Sequence, residues 1–97
     1  MKMYNPPHPG QIIKSIYIDE FNLSYRDLAK LLDVSATTIG RVVTGKSNIS
    51  AEMAVRLSRS LGKSAESWLR LQEQYDLWHI QQNDALFNNV QRFTSKN

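Results

Sequence analysis

Four serines, Ser24, Ser35, Ser50 and Ser64, each stand just ahead of a stretch whose apolar residues recur at helical spacing. A serine so placed offers its side-chain oxygen to the free N–H groups of a helix's first turn, so each marks a helix start. Behind Ser24, the tetrapeptide SYRD reads as a capping box with Asp in place of Glu, and Leu28, Ala29, Leu31 and Leu32 supply a buried stripe. Ser35 opens a short helix bearing Ile39, Val42 and Val43 that stops at Gly45. Ser50 opens a third, with Met53, Ala54, Leu57 and Leu61, closed by Gly62. Ser64 opens the longest, about residues 64–82. Upstream, His8-Pro9-Gly10 leads into a further helix from Gln11 to Glu20, with Ile12, Ile13, Ile16 and Tyr17 on neighbouring faces. Strands have almost no support. The expectation is an all-α, five-helix domain over residues 1–97, with residues 84–97 as a weak helix or tail that orders only against a partner.

Size and composition narrow the function. A chain of 97 residues has little apolar area to spare for a deep catalytic cavity. With no cysteine, disulfides, thiolate metal sites and thiol nucleophiles are excluded. The two histidines, His8 and His79, lie far apart with no paired carboxylate to orient either, so neither an enzyme nor a metal or cofactor site is expected. Prolines interrupt the N-terminal MKMYNPPHPG where a secretory signal needs an apolar run, and no stretch reaches membrane-span length. The expected compartment is the cytoplasm. The net charge is only +3, but residues 24–63 carry a net +4 while residues 64–97 carry −1. A polyanion is expected to dock on the middle of the chain.

That middle contains YRDLAKLLDVSATTIGRVVTGK, which reads as helix, tight turn, helix over about residues 25–44. Where the two helices of a helix-turn-helix nearly touch, the fifth residue of the first must be small, and it is Ala29. The residue opening the turn needs a left-handed backbone; Asp33 stands where glycine is commonest. With Ile39 and Val42 turned inward, helix periodicity sends Ala36, Thr37, Thr38 and Arg41 outward, with Ser35 at the helix N-terminus. Ser35 caps the helix and can hold a phosphate in addition. Thr37 and Thr38 can offer a hydroxyl or methyl to base edges, and Arg41 can read guanine or grip phosphate. Tyr25 and Lys46 are expected on the DNA backbone. In the last helix, Trp68, Leu71, Tyr75 and Trp78 form one apolar stripe and Leu69, Leu77 and Ile80 another. A terminal helix in so small a domain cannot hide both, so Leu71, Tyr75, Leu77, Trp78 and Ile80 are expected to meet a second copy, with Tyr75 and Trp78 foremost.

The stretch from His8 to Trp78, with HPG before the first helix and SWLRLQEQYDLW after the fourth, resembles the HigA-type antitoxins of the phage-repressor-like (XRE) helix-turn-helix class. The resemblance implies a dimeric repressor that binds operator DNA of its own operon. It also implies neutralisation of a RelE-like, mRNA-cleaving toxin encoded by the adjacent gene. By motif position Ser35, Thr37, Thr38 and Arg41 match the family's DNA-facing residues, whereas Asp33 replaces the usual turn glycine and Tyr25 stands where related repressors often carry glutamine. A stand-alone repressor without a toxin and a pure protein-interaction module are the alternatives.

Overall fold

A computed structural model describes residues 5–95. The architecture is all-α: α1 (Pro9–Ile13), a π-helical turn (Lys14–Glu20), α2 (Tyr25–Leu32), α3 (Ala36–Val43), α4 (Ala51–Leu61), α5 (Ala65–Gln81) and a closing 3-10 turn (Asp84–Phe87). There is no strand among the described residues. Residues 96 and 97 of the expected tail lie outside them.

Each of the four serines is an N-cap. Ser24, Ser35, Ser50 and Ser64 accept the backbone N–H of Asp27, Thr38, Met53 and Ser67, respectively, at 3.0 to 3.1 Å. The Asp27 carboxylate returns the bond to the Ser24 N–H at 3.0 Å, completing a capping box. These bonds hold its pKa below the ordinary carboxylate range. Gly62, with φ of 90°, follows α4, and its carbonyl accepts the Trp68 indole N–H at 3.0 Å. That bond lets the tryptophan be fully buried without stranding a donor.

The first helix departs from expectation in where it starts and how it winds. It begins at Pro9, with the His8 Nδ1 accepting the Gly10 N–H at 2.9 Å as its cap. Proline at the first helical position gives up an N–H that has no intrahelical partner there. From Lys14 the coil widens, and the Phe21 N–H bonds to the Ile16 carbonyl five residues back. The wider turn carries Tyr17 to α4, where its hydroxyl donates to the Leu61 carbonyl at 3.2 Å. Gly10 lies against α3 so closely that any Cβ there would collide with the Val42 carbonyl.

The core is a single cluster to which every helix contributes, from Ile13 of α1 through Leu28, Ile39 and Leu57 to Trp68 of α5. One buried polar side chain organises the loop between α3 and α4. The Gln72 Oε1 accepts the Ile49 N–H at 2.8 Å, and its Nε2 donates to Asn48 at 3.2 Å and to Asp76 at 3.0 Å.

Candidate nucleic-acid interface

α2 and α3 meet through Ala29, which is buried as expected for the close approach. Asp33 adopts φ 58°, ψ 48°, the left-handed conformation that the turn requires. The backbone then re-enters the helix pair through the Val34 N–H, which donates to the Ala29 carbonyl at 3.0 Å. An arginine braces this turn. The Arg56 Nη1 donates to the carbonyls of Leu32 at 2.9 Å and Asp33 at 3.0 Å, while Glu52 holds the guanidinium from the other side. Carbonyls at the end of α2 that lack helix partners are thereby satisfied.

Ile39, Val42 and Val43 of α3 enter the core, which leaves Ala36, Thr37 and Arg41 exposed. Thr37 and Arg41, four residues apart, share a helix face. Thr38 departs from the expectation of full exposure. It is half-buried, and its hydroxyl shares a 2.9 Å hydrogen bond with Ser35 Oγ. Beyond α3 the chain turns back on the helix end. The N–H groups of Lys46 and Ser47 both donate to the Arg41 carbonyl, at 2.9 and 3.0 Å, and the Arg41 Nε donates to Ser47 Oγ at 3.0 Å. Arg41 is thus tied to this loop through its carbonyl and its Nε, and its side chain is exposed, as is Lys46. Tyr25 is half-buried, with its ring over Gly40 of α3, where a Cβ would stand 3.8 Å away.

The five residues expected at a dimer interface divide into two groups. Leu71 packs against the chain's own core. Tyr75, expected foremost at the interface, is half-buried with its ring centroid 5.0 Å from His8 and 4.2 Å from His79. The cause is α5's lie across α1, which turns this stripe inward. Trp78 is half-buried with its ring edge-on to His79. Leu77 and Ile80 stay 45% exposed. The two histidines, distant in sequence, therefore gather at one tyrosine. His8 is buried, which pushes its pKa down from the ordinary value, opposed in part by the Asp76 carboxylate and the backbone of Ser47.

Residues 13–68 match the helix-turn-helix family HTH_3. The chain belongs to this XRE-type helix-turn-helix family. It is 42% identical to the uncharacterized HTH-type transcriptional regulator YddM of Escherichia coli (strain K12), over 79% of this chain and 81% of that one. Its fold is similar to that of antitoxin GraA in complex with its operator, at TM-score 0.84 and 34% identity, covering 98% of both chains. Pseudomonas aeruginosa antitoxin HigA with higBA promoter aligns at TM-score 0.80 and 36% identity, over 90% of this chain and 96% of that one. This helix-turn-helix protein is therefore an antitoxin-like, non-enzymatic DNA-binding protein. Among the described residues, no group of acidic or histidine side chains could hold a metal ion and no helix is long and apolar enough to cross a membrane.

Sequence reasoning missed Arg56 and Gln72. Gln72 had a signal, a polar residue four positions from Trp68 in the inward phase of α5. Arg56 had none, since an arginine beside Glu52 on a helix reads as an ordinary solvated pair.

Proposed function

We propose that this helix-turn-helix protein is a cytoplasmic antitoxin that binds operator DNA as a homodimer, represses its own operon and neutralises a RelE-like toxin encoded beside it. The observation that carries the reading is the exposed face of α3, where Ala36, Thr37 and Arg41 stand clear of the core behind the Ser35 cap. Such a face, on the second helix of a helix-turn-helix, suits the major groove. In this reading Arg41 and Thr37 address base edges, while Thr38 contributes its methyl or its shared hydroxyl. Lys46, the Ser35 end of α3 and the Tyr25 hydroxyl meet phosphates. The whole chain acts as one DNA-binding unit, with Leu77, Trp78 and Ile80 at the dimer seam and Leu71 and Tyr75 supporting them from within. Two copies then place their recognition helices on half-sites about one helical turn apart.

Support for the antitoxin role comes from the likeness to GraA and HigA, which extends through α5. A stand-alone repressor is the second reading, favoured by the likeness to a relative described only as a transcriptional regulator. Co-expression with the adjacent reading frame, in a host that this frame alone poisons, separates the two. Rescue of growth together with copurification supports the antitoxin. Continued poisoning without copurification leaves the stand-alone repressor.

A further inference from the structure

The molecule is longer than its mass requires. Its radius of gyration is 17.0 Å and its extents are 59 × 25 × 23 Å, against a radius of about 12–13 Å for a compact domain of this length. It exposes 7407 Å², where a compact monomer of its mass exposes about 5,700 Å². The surplus exceeds the roughly 800 Å² that each partner of a stable protein pair contributes.

Part of this surplus is apolar. After α5 the chain runs on through tight turns, with the Leu86 N–H bonded to the Asn83 carbonyl and the Val90 N–H to the Phe87 carbonyl. Along it Leu86, Phe87, Val90 and Phe93 are exposed, the last two at 72% and 87%. Phe87 closes the 3-10 turn, and Val90 and Phe93 follow it at three-residue spacing in non-helical chain. At the end of α5, Leu77 and Ile80 line a shallow apolar depression together with Asp76, His79 and Asn83. An apolar segment without a groove and an apolar depression without a filler thus occur on the same chain, adjoining the seam already assigned to the dimer.

We propose that residues 84–93 form a clasp. The segment of each copy packs, through Phe87, Val90 and Phe93, into the Leu77–Ile80 depression of the other. A two-fold axis makes the exchange reciprocal, so each copy supplies both a clasp and a receptor. Charge favours this occupant over a basic protein partner. Residues 84–97 carry Asp84 against Arg92 and Lys96 and are themselves slightly basic. The clasp rests on the homodimer reading above and extends it to a segment that lies outside the helical body.

Sedimentation equilibrium on the intact chain tests it, with two paired substitutions, Val90→Glu/Phe93→Glu and Leu77→Glu/Ile80→Glu, checked for unchanged helix content by circular dichroism. Both pairs should raise the dimer dissociation constant at least about tenfold. Because the chain has no cysteine, single variants Ile80→Cys and Phe93→Cys can be mixed and treated with a short bismaleimide. A cross-linked mixed dimer, formed in better yield than either variant gives alone, is the expected product. If the tail pair leaves the dissociation constant unchanged while the Leu77/Ile80 pair raises it, the clasp is wrong and the dimer stands. A wild-type chain that is monomeric at micromolar concentration overturns both. Loss of copurification with the adjacent-frame protein from the tail pair, with the dimer intact, assigns the segment to that partner and overturns the clasp.

Discussion

Arg56 donates its Nη1–H to the backbone carbonyl of Asp33 at 3.0 Å, tying α4 to the turn between α2 and α3. The turn holds a non-glycine residue at φ 58°, a conformation that costs an ordinary side chain about 1–2 kcal/mol. Arg56 offsets part of that cost by occupying two carbonyls at once. Arg56→Met should therefore lower stability by about 1–2 kcal/mol, the range for partly exposed charge-assisted hydrogen bonds. Asp33→Gly should raise it by about 0.5–1 kcal/mol through relief of the left-handed strain. Urea denaturation of the two single variants and the double variant checks both, and the double variant should lose less than Arg56→Met alone.

Most of the helical framework was legible in the sequence, because capping is local. A serine side chain reaches the N–H three residues on, so SYRD, and the serines at 35, 50 and 64, reveal their bonds without knowledge of the rest of the chain. The braces are not local. Arg56 reaches Asp33 across 23 residues and Gln72 reaches Ile49 across 23, distances at which periodicity carries no information. The α3 face was legible in outline, since Ile39 and Val42 fix its phase, but the Ser35–Thr38 hydroxyl pair and the Arg41–Ser47 bond depend on rotamers and loop path. The packing of Tyr75 was not legible, because His8 from the opposite end of the chain supplies its neighbour.

Gln72 satisfies a buried backbone donor, the Ile49 N–H, in the loop that leads from α3 to α4. Gln72→Leu fills similar space but leaves that N–H without an acceptor. It should cost about 1–3 kcal/mol, the penalty for an unsatisfied buried donor. Gln72→Glu keeps the acceptor but sets a carboxylate oxygen against Asp76 and Asn48 in place of the donor, so it should not recover the loss at neutral pH. Native-state hydrogen exchange gives a local readout, with faster exchange at Ile49 in the leucine variant than in the wild type.

His8 makes stability depend on pH in one direction. Its Nδ1 must remain unprotonated to accept the Gly10 N–H, and burial holds its folded-state pKa below the ordinary 6.5. The unfolded chain therefore takes up this proton first as pH falls. The stabilisation is fully present above about pH 6.5 and is lost as the pH falls from there through the folded-state value. Asp27, with its lowered pKa, acts in the same sense at lower pH. His8→Asn retains a side-chain acceptor at the cap of α1 without titrating. Thermal melts from pH 7.5 to pH 5 should show a decline in the wild type that the asparagine variant lacks in the upper part of that range.

DNA reading by α3 is tested most directly by fluorescence anisotropy with the duplex immediately upstream of the gene, repeated across salt concentrations. Wild-type affinity should fall steeply between about 50 and 200 mM salt as lysine and arginine contacts release counterions. Arg41→Ala should weaken binding by about 1–3 kcal/mol, selectively for this duplex if the guanidinium reads a base and evenly across sequences if it holds phosphate. Unchanged binding by the Thr38→Ala, Arg41→Ala double variant, or wild-type affinity indifferent to salt, would contradict the assignment of α3 as the recognition helix.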